Sequence, residues 1–309
     1  MSGAVLLALL PVVVLIALGL LLRRRRFVED GFWPQAERLG YFVLLPCLFF
    51  RGLATARIEA LPVGELALTL ILSTVIVAAL VVALRPLMNV DGPAFTSVFQ
   101  GSVRFNNYVG VTLAGSLFGA QGIALAAICN AAIVPTVNVL CVLVFARHGS
   151  AKLTGRGILK QVATNPLVTS SLAGLAFQML GLGLPPGLEP AMKALGAASL
   201  PLGLLCIGAA LEFGAVRQWL GPVASSSLMK FLAMPVATVL VAMLTGLKGP
   251  ALTTALFFQV LPTASSAYIM ARQLGGDAPL MAGITATQTV LALVAIPLVL
   301  VGLTAVVHL

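Results

Sequence analysis

The sequence predicts an all-α membrane protein in which ten transmembrane helices form two inverted repeats of five helices each. The first observation is composition: 60% of the 309 residues are apolar, 9% are charged, and the mean hydropathy is +1.10. A water-soluble domain does not carry so few charges. The second is a series of apolar stretches of about 20 residues, the length at which a helix crosses a bilayer. The third is an internal repeat: Pro11 and Pro46 recur as Pro166 and Pro201, both 155 residues later (166 − 11 and 201 − 46).

The apolar stretches follow one another with short connections, so the function is predicted to lie within the membrane. Residues 1–146 form the first repeat, residues 147–163 a short basic cytoplasmic connection, and residues 164–309 the second repeat. Arginines follow the first stretch instead of preceding it, which indicates a retained helix and not a cleaved signal peptide. The predicted spans are 5–22, 33–53, 62–84, 93–117, 122–146, 165–182, 191–211, 219–245, 250–271 and 279–307.

The basic residues concentrate at one side of the predicted helices. By the positive-inside rule that side is cytoplasmic, so both termini are predicted to lie outside the cytoplasm. Five helices in each half also give the two halves opposite orientations. The same rule accounts for the net charge of +9 without a nucleic-acid partner. The basic side carries Arg23–Arg26, Arg38, Arg85, Arg147, Lys152, Arg156, Lys160, Arg217 and Arg272, and the other side carries Arg51, Arg57, Lys193 and Lys248.

Polar side chains within an apolar span are costly and therefore indicate function. The fourth span carries Arg104, Asn106 and Asn107 near its middle, followed by Tyr108 and Gly110. Asparagine competes for backbone hydrogen bonds and glycine lowers the cost of a break, so the helix is predicted to be interrupted here. A broken helix presents free N–H groups and a positive end, which suits an anion. The alternative is that the asparagines only join helices by hydrogen bonds.

The ninth span carries a matching interruption, because Pro262 lacks an N–H group and crowds the preceding turn. Two interrupted helices at corresponding positions of two halves indicate a binding site, and they are predicted to cross at their breaks. Polar residues of two further spans would complete the pocket or bind a coupling cation: Asn130 and Asn138 in the fifth, and Thr285, Thr287, Gln288 and Thr289 in the tenth. The candidate substrate-binding residues are Arg104, Asn106, Asn107, Tyr108, Asn130, Pro262, Thr263, Ala264, Ser265, Ser266 and Gln288.

Two cations lie inside predicted spans. Arg104 would either hold a substrate carboxylate bidentately or pair structurally. Lys230 would either contact the substrate or, as the favoured interpretation, snorkel or pair with an acid from another helix. The acids Glu65, Glu212 and Asp277 lie near predicted helix ends, whereas a proton relay needs a carboxylate or histidine near the midplane. The sequence therefore favours an anion site over a proton relay, and it lacks the paired aspartates of a sodium/proton antiporter.

Several motifs resemble those of the auxin efflux carrier family: Asn106–Gly110, Asn165-Pro166, Ser199–Gly203, Leu261–Ala264 and Gly275–Asp277. The resemblance covers essentially the whole chain. It implies a sodium/proton antiporter-like fold in which helices four and nine cross at the substrate. It also implies that a transport domain of helices 3–5 and 8–10 moves like an elevator against a scaffold of helices 1, 2, 6 and 7. Bacterial members are thought to carry malonate or malate, and plant members indole-3-acetate.

The predicted function is therefore secondary transport of a small organic anion, a dicarboxylate such as malonate or malate or an auxin-like monocarboxylate, with a proton or sodium ion as coupling ion. No cofactor or metal site is predicted. The resemblance places the protein in a bacterial inner membrane, and Gly196–Ala198 would permit close packing in a homodimer.

Three alternatives stay open. A sodium-coupled bile-acid-type symporter would show sodium-dependent uptake. A sensor would normally carry a soluble output domain, which the short connections do not provide, and a channel would show conductance steps. An enzyme is not predicted, because the chain shows no nucleophile with a base, no metal-ligand spacing and no carboxylate pair.

Overall fold

The computed structural model describes residues 2–55, 61–149, 164–211, 219–264 and 266–307, and their regular structure is entirely helical. Five helical segments are long and apolar enough to cross a membrane, which confirms an all-α membrane protein. The helices are α1 Ser2–Arg24, α2 Phe32–Leu39, α3 Leu45–Ala54, α4 Val63–Ala83, α5 Arg85–Met88, α6 Gly92–Val103, α7 Asn107–His148, α8 Pro166–Met179, α9 Leu188–Ala209, α10 Leu220–Leu228, α11 Met234–Thr245, α12 Gly249–Gln259, α13 Ser266–Leu274 and α14 Ala278–Val307.

Two π-helical turns, Gly40–Leu44 and Met229–Ala233, join α2 to α3 and α10 to α11. Each turn ends two residues before a proline, Pro46 in one case and Pro235 in the other. A proline ring clashes with the carbonyl four residues earlier and offers no N–H group to it. A wider π turn relieves that clash without ending the helix.

Both predicted interruptions are present. Helix α6 ends at Val103, and Arg104 and Asn106 have extended backbone before α7 begins. The side chain of Asn106 caps α7, because its Oδ1 accepts hydrogen bonds from the backbone N–H groups of Tyr108 (3.1 Å) and Val109 (3.4 Å). In the second half, α12 ends at Gln259, residues 260–264 are not helical, and Ser265 lies outside the described residues.

The turn between the fourth and fifth predicted spans lies at Gly119, inside the 42 residues of α7. Gly119 has φ +55° and ψ −134°, a left-handed conformation that glycine adopts without a steric penalty. The connection between the two predicted spans is therefore a sharp kink between two long helical segments.

The helices pack in two groups. In the first, α1 packs on α9, and α3 packs on both α8 and α9. Glycines make this packing close: a Cβ atom at Gly208 would overlap the backbone of Ile16, and one at Gly19 would overlap that of Leu205. In the second group, α4 packs on α7 and α11, α6 on α10, and α12 on α7. The fully buried rings of Phe95, Phe99, Phe257 and Phe258 lie in this second group.

Candidate functional site

Gln288 joins the break between α12 and α13 to the rest of the second group. Its Oε1 accepts hydrogen bonds from the hydroxyl (2.7 Å) and the backbone N–H (3.2 Å) of Thr263. Its Nε2 donates to the carbonyl of Gly101 (3.0 Å) and to Oγ of Ser226 (3.1 Å). Gln288, Thr263 and Ser226 are fully buried. One amide thus connects α6, α10, α14 and the α12–α13 break, and no water is needed to satisfy it.

Gln259, the last residue of α12, makes a second set of buried bonds. Its Nε2 donates to Oγ of Ser73 (2.8 Å) and to Oγ1 of Thr74 (3.1 Å). These contacts hold the end of α12 against the middle of α4. Nothing in the local sequence pattern paired this part of α4 with Gln259.

A cavity of about 580 Å³ lies beside the other break, between α6 and α7. Residues of both helix groups surround it, since α2 and the start of α8 form one wall and the two breaks form the other. Its lining residues are Pro34, Glu37, Arg38, Tyr41, Phe42, Arg104, Asn106, Asn107, Tyr108, Asn138, Thr164, Asn165, Pro166, Ala264, Ser266 and Met270. An adjoining cavity of about 380 Å³ shares Pro34 and Glu37 and extends to Arg23 and Arg272 at the basic end of the helices.

Arg104 has the charge and the geometry for an anion in this cavity. One guanidinium nitrogen, Nη1, donates to Oδ1 of Asn138 (3.3 Å) and contacts Sδ of Met270 (3.2 Å). The ion pairs of Arg23 with Asp30 and of Arg51 with Glu189 do not involve Arg104, and no described carboxylate lies within salt-bridge distance of it, although Glu37 also lines the cavity. The described partners of Arg104 are thus uncharged: the amide of Asn138, the thioether of Met270 and the thiol of Cys141. A planar guanidinium with remaining donors is suited to bind a carboxylate through two hydrogen bonds.

The residues after Arg104 have distinct positions. Oδ1 of Asn107 and Oη of Tyr108 are buried without a hydrogen-bond partner in the described part of the chain. The Tyr108 ring lies against two glycines of the first helix group, since a Cβ atom at Gly203 would overlap the ring and one at Gly40 would lie 2.6 Å from Oη. Asn107 thus offers an unpaired amide oxygen next to the cavity, and Tyr108 connects the two helix groups.

Asn165 shows that the first group also contributes a polar, positioned wall. Its Oδ1 caps α8 by accepting from the N–H groups of Leu167 (3.0 Å) and Val168 (3.3 Å), and its Nδ2 donates to Oη of Tyr41 (3.1 Å). This cap has the same form as the one that Asn106 makes at α7.

The structure brings six of the candidate residues together at the cavity: Arg104, Asn106, Asn107, Tyr108, Ala264 and Ser266. It does not place the others there. Thr263 and Gln288 bind each other in the buried network, and Pro262 is buried beside them. Asn130 Nδ2 donates to the carbonyl of Ala126 (2.8 Å), one turn earlier in its own helix. Asn130 and Gln288 face the packed interior because of the rotation of their helices, Pro262 and Thr263 are buried in the non-helical segment after α12, and Ser265 lies outside the described residues.

Asn138, which the sequence places among the residues that would complete the pocket, lines the cavity, and so do Tyr41 and Met270, which the sequence did not predict there. Tyr41 and Met270 have no local signal, because each is one apolar or aromatic residue in a membrane span. Asn165 had a signal, since an Asn-Pro pair at the start of a helix indicates a cap.

An all-helical membrane protein with two interrupted helices beside a cavity lined by an arginine and amides is built as a membrane transporter. The chain belongs to the membrane transport protein family, whose sequence profile matches residues 4–300, and this is the auxin efflux carrier family that its motifs resemble. It is similar to a protein of Rhizobium meliloti (strain 1021) named "Putative malonate transporter", with 26% identity over 251 residues, which cover 76% of this chain and 75% of that protein.

Proposed function

We propose that this protein carries a small dicarboxylate such as malonate or malate across a bacterial inner membrane by alternating access. The name of the Rhizobium meliloti relative supports a dicarboxylate. The observation that carries the proposal is Arg104, a cation within a helix break that lines a cavity and has no carboxylate partner in the described residues. A bound dicarboxylate would supply the negative charge in contact with Arg104 that the described residues do not.

The site offers groups for both ends of such an anion. In the proposal, Arg104 holds one carboxylate in its guanidinium fork, and Asn107 orients it. Arg38, which lines the same cavity from α2, attracts the second carboxylate. The break also directs the N-terminus of α7 toward the cavity, and the positive end of a helix favours an anion.

The architecture we propose is ten spans in two inverted repeats, residues 1–146 and 164–309, joined by residues 147–163. The first helix group (α1, α2, α3, α8 and α9) would be a scaffold, and the second group a transport domain that moves like an elevator. The close glycine packing within the first group supports this division, because atoms packed that closely move as one body. In this proposal the conformation seen here opens toward the basic, cytoplasmic side.

Thermal stability in detergent tests the site, because a ligand that binds only the folded state raises its stability by about 2.7 kcal/mol at 100 times its Kd. Malonate and malate should raise the melting temperature of the wild type in a dose-dependent way. Arg104→Gln should abolish the shift, and Arg104→Lys, which keeps the charge without the fork, should retain part of it. The control is Lys248→Gln, the same charge change at an exposed residue of the opposite end.

Indole-3-acetate belongs in the same experiment, since a shift with that monocarboxylate alone would exclude a dicarboxylate site. A full malonate shift in Arg104→Gln would remove Arg104 from the site. If no carboxylate shifts the folded wild type, the proposed function is wrong.

A further inference from the structure

Lys230 is the second cation within the helical interior, and it has no place in the substrate site. It lies in the π-helical turn Met229–Ala233 and is fully buried, with 0% of its surface exposed. Its Nζ has no hydrogen-bond partner among the described residues. From the sequence, Lys230 is expected to snorkel or to pair with an acid; its full burial contradicts the first, and no acidic partner is present among the described residues.

An unpaired ammonium in this position is unfavourable, because the effective cost of burying an ion is several kcal/mol even after relaxation. The free energy of burying a neutral amine is much less unfavourable. Because burial of an ion is so unfavourable, ionisable residues inside a membrane protein usually have a function. Burial without a partner thus favours the neutral form of the Lys230 amine.

Helices α4 and α6 pack against the π turn, together with α10 and α11, which continue it on either side. The segments α6, α10 and α11 contain no ionisable residue, and Glu65 is the one on α4. The start of α4 meets the end of α11, where the hydroxyls of Thr69 and Thr245 lie 2.7 Å apart. Glu65 is therefore on the order of 28 Å from Lys230 along the helices, at about 1.5 Å per residue.

Two charged residues flank α6. Asp91, before its first turn, accepts a hydrogen bond from the N–H of Ala94 (2.8 Å), and Arg104, after its last turn, is directed to Asn138 and Met270. Asp91 is ten residues before Gly101, the level at which α6 contacts Ser226, so it is about 15 Å away from that level. No described carboxylate at the depth of Lys230 is in position to hold its charge.

The turn before Lys230 connects it to the helix break. Ser226 and Ser227 are four and three residues earlier, on the same face of the helix. Ser226 Oγ accepts from Gln288, the residue that holds Thr263 in place, and Ser227 Oγ is buried without a partner in the described residues. A change of charge at Lys230 would therefore act within one helical turn of the network that positions the α12–α13 break.

We propose that Lys230 is a proton-binding site that couples transport to the proton. Nζ is a neutral amine in the conformation seen here. When the transport domain moves to the other side, water reaches Nζ and its lone pair takes one proton from hydronium, forming an ammonium and water. As the domain moves back, the ammonium returns that proton to water on the cytoplasmic side, before Nζ becomes buried as it is seen here, so one proton travels with each anion. The inference rests on the proposed function, because it needs a transported anion.

Malonate uptake into proteoliposomes tests the coupling. The variant is Lys230→Met, which keeps the length of the side chain and removes the amine, and its matched control is Lys248→Met at an exposed position. An inward-directed proton gradient should stimulate wild-type uptake several-fold, and an entrapped pH dye should report acidification of the lumen together with uptake. Protein-free liposomes correct for passive entry of the acid.

Lys230→Met should lose both responses to the gradient while it retains malonate exchange at equal pH and the malonate-induced rise in melting temperature. Lys248→Met should behave like the wild type. Removal of an unpaired buried amine should not impair folding, and Lys230→Gln provides the same test if the methionine variant fails to fold.

Gradient-stimulated uptake in Lys230→Met would overturn the proposal, and so would wild-type uptake that ignores the gradient. Loss of malonate binding in a folded Lys230→Met would assign Lys230 to the substrate and overturn it as well. These outcomes differ from failure of the proposed function, in which the wild type would neither bind nor carry any carboxylate.

Discussion

Arg104 and Gln288 are both polar residues in apolar spans, yet their surroundings give them different roles. Arg104 lines the cavity and donates to Asn138 at 3.3 Å, with no described carboxylate to neutralise it. Gln288 is fully buried and makes hydrogen bonds to three other residues. A cation without a counter-charge can bind a ligand, whereas a satisfied amide fixes the structure around it.

Replacement of Gln288 with leucine should therefore destabilise the protein without removing a contact to the substrate. Leu keeps most of the volume but leaves the buried Thr263 N–H unpaired, at a cost of about 1–3 kcal/mol, and it removes one of the two hydrogen bonds that the Gly101 carbonyl accepts. We expect the melting temperature to fall by several degrees. Thr287→Val, on the neighbouring position of α14, is the control because Thr287 is partly buried rather than fully buried.

Substrate affinity distinguishes a structural role of Gln288 from direct contact with the substrate. Where Gln288→Leu remains folded, malonate should still raise its melting temperature. A variant of normal stability that no longer responds to malonate would place Gln288 in the binding site after all.

At the scale of elements, Tyr108 is the contact that connects the two helix groups beside the cavity. Its ring belongs to the first turn of α7, and it packs against Gly40 in the π turn and Gly203 in α9. The residue next to it, Asn107, lines the cavity. Displacement of the ring should therefore affect both the contact between the groups and the substrate site.

Gly203→Ala should displace the ring, because the new Cβ would overlap it. Overpacking of this kind typically costs about 1–3 kcal/mol. We expect a lower melting temperature and a smaller malonate shift than in the wild type. Gly221→Ala in α10 is the control, since no atom lies within 4 Å of a Cβ at that position.

Combination with Tyr108→Ala tests the mechanism, because removal of the ring makes room for the methyl group. The double variant should lose less stability than the sum of the two single variants. Strict additivity would show that Gly203→Ala acts in another way, such as through the backbone of α9, and not through the Tyr108 ring.

At the scale of the molecule, the distribution of charge predicts its orientation. The basic end carries most Lys and Arg, and the cavities extend to that end through Arg38, Arg23 and Arg272. If the positive-inside rule holds, the cavity seen here opens to the cytoplasm. This orientation decides from which side a substrate enters the conformation described.

Cysteine labelling in intact cells measures the orientation. In a background without Cys47, Cys129, Cys141 and Cys206, one variant carries Glu29→Cys at the basic end and another carries Lys248→Cys at the opposite end, both exposed positions. A membrane-impermeant maleimide should label Lys248→Cys in intact cells and label Glu29→Cys only after the cells are opened. The reverse pattern would invert the predicted topology.

The sequence by itself determined the class of protein, the positions of the helices and the two breaks. These features depend on local chemistry: apolar length sets a span, Asn106 caps a helix that must restart, and Pro262 removes a hydrogen-bond donor. Family motifs along the chain carried the assignment to the auxin efflux carriers, which the match to residues 4–300 confirmed.

Only the tertiary structure decided which polar side chains face the cavity and which are buried. Gln288 reaches Gly101 across 187 positions of sequence, and Gln259 reaches Ser73 across 186. Such contacts depend on the rotation of each helix about its axis. A span that is apolar on all of its faces has no amphipathic pattern from which this rotation could be predicted. The same rotation leaves Lys230 buried without a partner among the described residues. For this reason we propose that its amine binds and releases a proton instead of forming a salt bridge.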